Sequence, residues 1–549
     1  MPRDLAADQE MLRTVLAYAE QRDIPRAAVI AERALADGFE HPLLLNVAAT
    51  RLELEGRLED ALRLLERAVT LAPGDIGARN AISLCLQRLN RPTEALRHVD
   101  ELLKANPDLA FAHATKGNAL ISLGALAQAR QCHLRALELD PNNITAKISL
   151  ASIATHSGDH DEARIWARDV LSKIPGYPDA VMSLAAAELA GGATDSAQMM
   201  LCQLLADTRA GAAEKARANG LLGDVLDATG QYAAAFDAYR ACNEALRGIH
   251  GSLADESSVL SYTKSLTKAV QAVAPERWAV SHEPGVAAGD PSTNPDAHVF
   301  LIGFPRSGTT LLDAILGGHP KVVSLEEHEL LTAGVLAFMR APLDFDPLLR
   351  AGANELDALR AAYWQQVREL GLTVAGKVFV DKYPLNTLKL PLIARLFPSA
   401  KILFACRDPR DVVLSCFRRR FSMNLAMYQL LTLEGAAEFY AAVMELAETA
   451  RPLLGLDWQV VRYESLVDDL PQQLASICHF LGLEQVAGLT DFATRVQSRE
   501  RATPSTAQLA RGLNRSGVGH WQHYRAALAP VLPKLESWVK RFADDNGAL

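Results

Sequence analysis

A short loop near residue 305 carries residue types that bind phosphate groups. The loop, which follows an apolar run and precedes amphipathic sequence, consists of Pro305, Arg306, Ser307, Gly308, Thr309 and Thr310. Glycines in such a turn let successive backbone N–H groups surround an anion where a helix begins, and the helix dipole adds to the attraction. Gly303 and Gly308 have the spacing of a Walker A loop, but Thr309 stands where that loop needs its lysine. The sequence therefore predicts a phosphate loop that is poorly suited to nucleoside triphosphate hydrolysis.

A second candidate anion site follows another apolar run. Arg407 comes directly after Ile402–Cys406, and Ser415 lies eight residues later in helical sequence. On its own, an Arg-Asp pair at a strand end is often a structural ion pair. Together with the first loop, it indicates a site that binds phosphate at two separate points. A nucleotide with 5′ and 3′ phosphates fits such a site better than ATP does.

The elements that must position these residues alternate between short β-rich runs and helical sequence. The predicted strands are Val299–Gly303, Val378–Asp381, Ile402–Cys406 and Gln459–Val461. Continuous apolar strands separated by helices predict an α/β domain with a parallel sheet that is covered on both faces. Ligands of such sheets bind at the carboxyl ends of the strands, where most of the candidate residues fall.

The first half of the chain repeats every 34 residues. The period is carried by prolines (Pro73, Pro107, Pro141, Pro175), by turn residues (Gly56, Asn90, Gly124, Gly158, Gly192) and by small residues (Ala27, Ala61, Ala95, Ala129, Ala163, Ala197). Gly or Asn turns the chain between two helices, Ala lets them approach closely, and Pro ends the second helix. This pattern resembles the tetratricopeptide repeat. It places repeat starts near Asp8, Pro42, Ile76, Ala110, Ile144 and Pro178, with a seventh hairpin at Gly230 and Ala235.

Three regions follow from these patterns. We expect an α-solenoid of repeats over residues 1–250, a capping helix and proline-rich linker over 251–295, and the α/β domain over 296–549. Stacked hairpins form a groove suited to a peptide or protein acceptor. A scaffold that only positions or dimerises the second half explains the same sequence.

Composition excludes several classes of protein. The formal charge of −9 over 549 residues, without long runs of like charge, argues against a nucleic-acid partner. Acidic residues near the start argue against a secretory signal, and no apolar stretch is long enough to predict a membrane span. Seven dispersed cysteines without paired spacing favour neither zinc nor disulfides. We therefore expect a cytoplasmic protein.

The loop at Pro305–Thr310 resembles the 5′-phosphosulfate loop of sulfotransferases that use 3′-phosphoadenosine 5′-phosphosulfate (PAPS). Arg407 and Ser415 resemble the 3′-phosphate site of the same family, and the protein-tyrosine sulfotransferase branch is the most similar. Bacterial proteins that join tetratricopeptide repeats to such a domain share this architecture. The resemblance implies PAPS as the sulfuryl donor and a reaction that needs no metal.

The resemblance also implies a role for individual residues. Arg306 holds the phosphosulfate, Glu327 is the catalytic base, and Lys382 neutralises charge on the leaving bridging oxygen. Ser505 is implied as a catalytic residue that donates a hydrogen bond to the same region as Lys382. Further nucleotide contacts are expected from Tyr463, Ser516 and Trp521, with Gln508 in the same C-terminal loop. Two positions depart from the family pattern. His520 replaces a lysine or arginine that reaches the nucleotide, and Ala507 replaces an aromatic residue on the acceptor side.

Several candidate residues also have structural interpretations. Glu327 has the alternative of interacting only with the dipole of a helix start, and His328 is a rival base. Glu326, Glu327, His328 and Glu329 could suggest a metal cluster, but consecutive residues of a helix cannot converge on one ion. The run Arg418–Arg420 fits a solvated helix end, and the steering of an anionic donor is its alternative role.

The predicted function is transfer of a sulfuryl group from PAPS to an acceptor hydroxyl, with protein tyrosine as one candidate acceptor. Two alternatives remain open at this point. One is a P-loop kinase or ATPase, which the missing lysine disfavours. The other is a non-catalytic repeat scaffold whose sulfotransferase-like domain binds nucleotide without turnover.

Overall fold

The computed structural model describes residues 5–21, 23–254, 258–278, 294–486, 488–492, 513 and 515–544. Contacts between residues divide this chain into two compact units, the first ending at Ala187 and the second beginning at Glu188. The second unit therefore includes the last repeat hairpin as well as the α/β domain. Among the described residues, no helix combines the length and the apolar character that crossing a membrane requires.

Antiparallel helical hairpins make up the first half of the chain. Their helices are α1 (Leu5–Glu20), α2 (Ile24–Ala36), α3 (Pro42–Leu54), α4 (Leu58–Leu71), α5 (Ile76–Arg88), α6 (Pro92–Ala105), α7 (Ala110–Ser122), α8 (Leu126–Leu139), α9 (Ile144–Ser157), α10 (His160–Lys173), α11 (Pro178–Ala190), α12 (Thr194–Ala206), α13 (Ala212–Ala228) and α14 (Tyr232–Ile249). The periodic alanines have no exposed surface, so neighbouring helices approach closely at these positions. The periodic turn residues adopt positive φ, including Asn90 at 58°. These observations confirm the predicted repeats and their starts.

Two helices connect the last hairpin to the sheet. Helix α15 (Val259–Gln271) packs against a long helix of the α/β domain, and α16 (Pro275–Trp278) ends in a buried tryptophan beside Phe345. The predicted capping helix thus packs on the α/β domain. Residues 279–293 of the predicted linker lie outside the described part of the chain.

Five parallel strands form one sheet in the order β2-β3-β1-β4-β5. The strands are β1 (Ala297–Gly303), β2 (Val322–Glu326), β3 (Val378–Lys382), β4 (Lys401–Cys406) and β5 (Asp457–Arg462). Sequence reasoning missed β2 because its run, Val322-Val-Ser-Leu-Glu326, is short and half polar. The α and α/β fold class with a parallel sheet is confirmed.

Helices surround this sheet. They are α17 (Thr309–Leu316), α18 (Thr332–Phe338), α19 (Asp346–Arg350), α20 (Ala353–Glu369), α21 (Leu390–Leu396), α22 (Pro409–Phe417), α23 (Leu425–Gln429), α24 (Leu433–Leu453), α25 (Tyr463–Asp468), α26 (Leu470–Leu481), α27 (Arg525–Leu528) and α28 (Leu532–Asp544). Short 3₁₀ turns occupy Gly251–Ala254, Pro384–Lys389, Leu489–Asp491 and His520–Tyr524.

Alternate residues of the strands belong to two separate apolar cores. Val299 and Leu301 face one core, and Phe300 and Ile302 face the other. The second core also contains Tyr239 and other residues of α13 and α14. The sheet is therefore buried on both faces, and the last repeat hairpin shares a core with it.

Candidate functional site

One cavity of about 380 Å³ opens at the carboxyl ends of the strands. Ten predicted site residues line it: Pro305, Arg306, Gly308, Thr309, Thr310, Glu327, Arg407, Ser415, Tyr463 and Ser516. Among the other predicted residues, Ser307, Lys382 and Trp521 lie outside the cavity lining. Ser505, Ala507 and Gln508 fall outside the described residues.

The phosphate loop has the tight backbone that its glycines predict. Arg306 and Gly308 have φ of 70° and 100°. A Cβ atom on Gly308 would lie 2.8 Å from Cδ2 of Tyr463, so only glycine lets the loop approach that ring. Thr309 then begins α17, which places the loop at the start of a helix. Ser307 of the loop is buried, and its backbone N–H donates to the carbonyl of Phe304.

Arg306 joins the two predicted phosphate contacts. Its Nε donates to Oγ of Ser415 at 3.0 Å. Burial, together with the nearby cations of Arg419 and Arg407, lowers the pKa of Arg306 to about 9. Positive charge is thus crowded at this end of the cavity. Because a bound anion would relieve both effects, the surroundings of Arg306 favour an anionic ligand.

Arg407 ties three segments together at the same end. Its Nη1 donates to the carbonyl of Arg306 at 3.3 Å, and its Nη2 donates to the carbonyl of Gly517. The guanidinium also lies 4.7 Å from the ring centroid of Tyr463. Arg407 therefore fixes the phosphate loop, the start of α25 and the C-terminal segment relative to one another.

A second group of charges lies where β2 and β3 end side by side. Nζ of Lys382 is 2.8 Å from Oε1 of Glu327 and 2.7 Å from Oε1 of Glu326. The Lys382 side chain has no exposed surface, whereas 45% of the Glu327 side chain is exposed. Burial opposes the charge of Lys382, but Glu326, Glu327 and Asp313 outweigh burial and raise its pKa. Lys382 therefore keeps its proton. Glu327 lines the cavity and lies between the cavity and the Lys382 ammonium.

Glu327 follows a strand, and the alternative that it belongs to a helix start is wrong. Its backbone N–H donates to the carbonyl of Lys382 at 2.7 Å, and its φ is 54°. Positive φ is uncommon for a glutamate and orients this side chain differently from a regular strand residue. Nδ1 of His328 lies 2.8 Å from the carbonyl oxygen of Glu326, and His328 is not among the described residues that line the cavity.

The run Arg418–Arg420 is half-buried and its outer two side chains form ion pairs within the protein, so the prediction of a solvated helix end is wrong. Arg418 pairs with Asp227 at 2.6 Å, and Arg420 pairs with Asp224 at 2.9 Å. Both aspartates belong to α13 of the last repeat hairpin.

Arg419, between them, lines the cavity, and burial lowers its pKa. Sequence reasoning missed Arg419 as a site residue. Its position four residues after Ser415, on the same side of helical sequence, is the signal that indicates it.

The C-terminal segment is anchored by aspartates. Asp411 accepts hydrogen bonds from the backbone N–H groups of Gly519 and Trp521, at 2.7 and 2.8 Å. The Trp521 ring stacks on Arg410, with 4.0 Å between the guanidinium carbon and the ring centroid. Trp521 thus supports the wall of the cavity from behind.

His520, which does line the cavity, directs Nε2 to Oδ1 of Asp227 at 2.9 Å. Burial would raise the pKa of Asp227, but His520, Arg418 and Tyr524 together lower it to about 2.

Apolar side chains also line the cavity. They include Tyr383, Leu385, Phe421 and Met427. The cavity therefore combines a cationic end, a carboxylate with a buried lysine behind it, and an apolar wall. Among the described residues, no group of three or more His, Cys, Asp or Glu side chains is placed to hold a metal ion.

Comparison with known proteins gives matches to both halves of the chain. A sulfotransferase family model matches residues 298–487, and tetratricopeptide repeat models match residues 52–118, 114–180 and 216–245. A crystal structure of a tetratricopeptide repeat protein from Parabacteroides merdae aligns with a TM-score of 0.36 and 19% identity, covering 43% of this chain and 92% of that protein.

Curated relatives match about half of the chain. Protein-tyrosine sulfotransferase 1 of Danio rerio is 26% identical over 266 residues, which cover 43% of this chain and 71% of the relative. An uncharacterized protein of Aquifex aeolicus is 29% identical over 277 residues, which cover 47% of this chain. The matched part spans 34% of that protein's length.

Proposed function

We propose that this chain, which joins tetratricopeptide repeats to a sulfotransferase-family domain, transfers a sulfuryl group from PAPS to the hydroxyl of a protein tyrosine. The observation that carries the proposal is the single cavity shared by Arg306, Glu327, Arg407 and Ser415. Spacing predicts two phosphate contacts and the family resemblance implies a base, and all four residues line this cavity.

The cationic end fits a donor that carries phosphate at both ends of its nucleoside. Arg306 and the N–H groups of the loop would hold the 5′-phosphosulfate, and Arg407, Ser415 and Arg419 would hold the 3′-phosphate. When bound, PAPS supplies a sulfuryl group that is activated by its link to phosphate. Burial of these arginines strengthens their interaction with an anion, because water is excluded around them.

Glu327 would accept the proton of the acceptor hydroxyl as that oxygen attacks sulfur. Its exposed carboxylate lies in the cavity wall, where an acceptor can reach it. Lys382 orients this carboxylate at 2.8 Å and keeps its own proton, so it would serve as a fixed positive charge beside the leaving phosphate oxygen. Ser505 is proposed to donate a hydrogen bond to the same oxygen.

A tyrosine acceptor is supported by the relatives and by the apolar side chains that line the same cavity as Glu327. Phe421 and Met427 offer surfaces on which a phenol ring can pack.

We propose that the repeats recruit the acceptor protein, since helical repeats present extended binding surfaces. The proposed compartment is the cytoplasm, with which the free cysteines are compatible.

Transfer of labelled sulfate from PAPS to tyrosine peptides tests this function. We expect activity from the wild type and a loss of about 10²–10⁴-fold in kcat for Glu327→Gln, because the base is removed without a large change in shape. Glu329→Gln is the matched control, since Glu329 pairs with Lys389 at 2.5 Å and lies outside the cavity lining. No transfer by the wild type to any hydroxyl acceptor would favour a nucleotide-binding scaffold. Thermal stabilisation by ATP but not by adenosine 3′,5′-bisphosphate would favour a kinase or ATPase.

A further inference from the structure

The last repeat hairpin, α13–α14, packs against the end of α22 and the residues that follow it. Nδ2 of Asn243 on α14 donates to the carbonyl of Phe417, the last residue of α22, at 2.9 Å. A Cβ atom on Gly220 of α13 would lie 2.5 Å from Nη1 of Arg420, so the absence of a side chain makes room for that arginine. These contacts lie within the second compact unit. The hairpin is therefore part of the same packed body as the cavity.

Two carboxylates of α13 each bind one of the three consecutive arginines. Asp224 pairs with Arg420 at 2.9 Å and accepts a hydrogen bond from the Tyr239 hydroxyl at 3.0 Å. Asp227, three residues later on the same helix, pairs with Arg418 at 2.6 Å and also contacts His520. The spacing of the two acids on one helix face matches the spacing of the first and third arginines.

Arg419, the middle arginine, lines the cavity and lies close enough to Arg306 to lower its pKa. Arg418, Asp224 and Asp227 line the same cavity. Three adjacent guanidinium groups repel one another, so a free Arg418–Arg420 run would spread over many side-chain conformations. The ion pairs of Asp224 and Asp227 neutralise the outer two arginines and fix the residues on either side of Arg419.

We propose that Asp224 and Asp227 are positioning residues of the donor site, through which the last repeat hairpin orients Arg419 and His520 towards the 3′-phosphate of the nucleotide. This inference rests on the proposed function, because it assigns a phosphate to the cavity end where Arg419 lies. It makes the terminal repeat a component of the nucleotide site in addition to any role in recruiting an acceptor.

Nucleotide discrimination tests the inference in the full-length chain. Affinities for adenosine 3′,5′-bisphosphate and for adenosine 5′-monophosphate are measured by calorimetry for the wild type, Asp224→Asn and Asp227→Asn. Each variant should bind the bisphosphate about tenfold more weakly and the monophosphate as the wild type does, because only the 3′-phosphate contact is misdirected. Asp237→Asn is the matched control, since Asp237 lies on α14 in an exposed pair with Arg240 at 2.8 Å. Its ratio of affinities should stay at the wild-type value.

Other outcomes would overturn the inference in distinguishable ways. An equal loss of affinity for both nucleotides would show that the aspartates support only the fold. If both variants keep the wild-type ratio of bisphosphate to monophosphate affinity, Arg419 needs no such positioning. The proposed function would then stand. A wild type without preference for the bisphosphate would overturn the proposed function and the inference together. Asp227→Glu, which keeps the charge, should restore at least half of the lost discrimination if the ion pair is what matters.

Discussion

Lys382 and Arg306 are cations at the same sheet edge, but their surroundings differ. Two carboxylates lie within 2.8 Å of the Lys382 ammonium, and the acids around it raise its pKa. Burial and neighbouring arginines act on Arg306 instead, and they lower its pKa to about 9. The positive charge of Lys382 is thus favoured by its surroundings, and the positive charge of Arg306 is opposed by its surroundings.

This difference matches the two tasks of the proposed reaction. An acid–base pair must be held in position before the acceptor arrives, so its charges are paired in advance. A donor site must prefer the anionic nucleotide over water, so crowded cations raise the gain from binding. Removing a cation should therefore have opposite effects on the ligand-free protein at the two ends.

The largest effect is expected from Lys382→Met. The change leaves Glu326 and Glu327 without their shared cation, so kcat for sulfate transfer should fall by about 10²–10³-fold. The thermal midpoint of the ligand-free protein should fall by several degrees, since removing one partner of a buried pair is destabilising. Lys377→Met is the control, because the Lys377 ammonium forms an exposed hydrogen bond to a backbone carbonyl, that of Pro320, at 2.7 Å. A normal midpoint for Lys382→Met would contradict the pairing.

Arg306→Gln should produce the next largest effect, with the opposite sign for stability. Glutamine keeps a donor near Ser415 but removes a charge that burial and Arg419 oppose. We expect the ligand-free protein to melt at a slightly higher temperature and to bind adenosine 3′,5′-bisphosphate about 10–100-fold more weakly. Differential scanning fluorimetry with and without the nucleotide measures both. A lower midpoint together with unchanged affinity would remove the contrast between the two ends.

Much of the fold was predictable because its determinants are local or periodic. The repeat starts follow from alanines, turn residues and prolines at fixed spacing, and each acts within one hairpin. Four strands follow from apolar runs that both faces of a buried sheet require. Strand β2 was missed because Ser324 and Glu326 interrupt its apolar pattern. Ser324 instead bonds Asp313 of α17, which a single sequence does not reveal.

The residues of the site were predictable where they belong to a motif and not where they depend on distant partners. Arg306, Arg407 and Ser415 belong to recognisable sequence motifs, and all three line the cavity. Arg418–Arg420 was misinterpreted because its partners, Asp224 and Asp227, precede it by nearly 200 positions. Such pairing is set by the packing of α13 on the α/β domain.

Gly308→Ala should disturb the anion end by a smaller amount. The new Cβ atom would meet the Tyr463 ring at 2.8 Å, at a φ of 100° that alanine disfavours. The ring also carries the Arg407 guanidinium, so a shift should weaken bisphosphate binding by about three- to tenfold. Isothermal calorimetry measures this change. Gly317→Ala is the control, since Gly317 ends α17 with φ of −64°. Equal losses in both variants would show that the helix, and not the loop, is responsible.

Asp381→Asn should have the smallest effect on the chemistry and a measurable one on the pH dependence of stability. Asp381 lies on the face of β3 opposite Lys382 and accepts a hydrogen bond from Tyr363 at 2.8 Å. Burial raises the pKa of Asp381 to about 7, although the Tyr363 hydrogen bond and the Lys389 charge oppose the shift.

The folded protein therefore binds a proton at Asp381 that the unfolded chain releases near pH 4. Stability from this group is fully present below pH 4 and is lost as the pH rises through about 7. Asparagine cannot ionise, so the thermal midpoint of Asp381→Asn should fall less between pH 5 and pH 8 than that of the wild type, by about 4 °C or more. Melting curves at the two pH values measure the difference. If the midpoints of the wild type and the variant change equally with pH, Asp381 is ionised at both pH values. Strand β3 would then tolerate a buried negative charge next to Lys382.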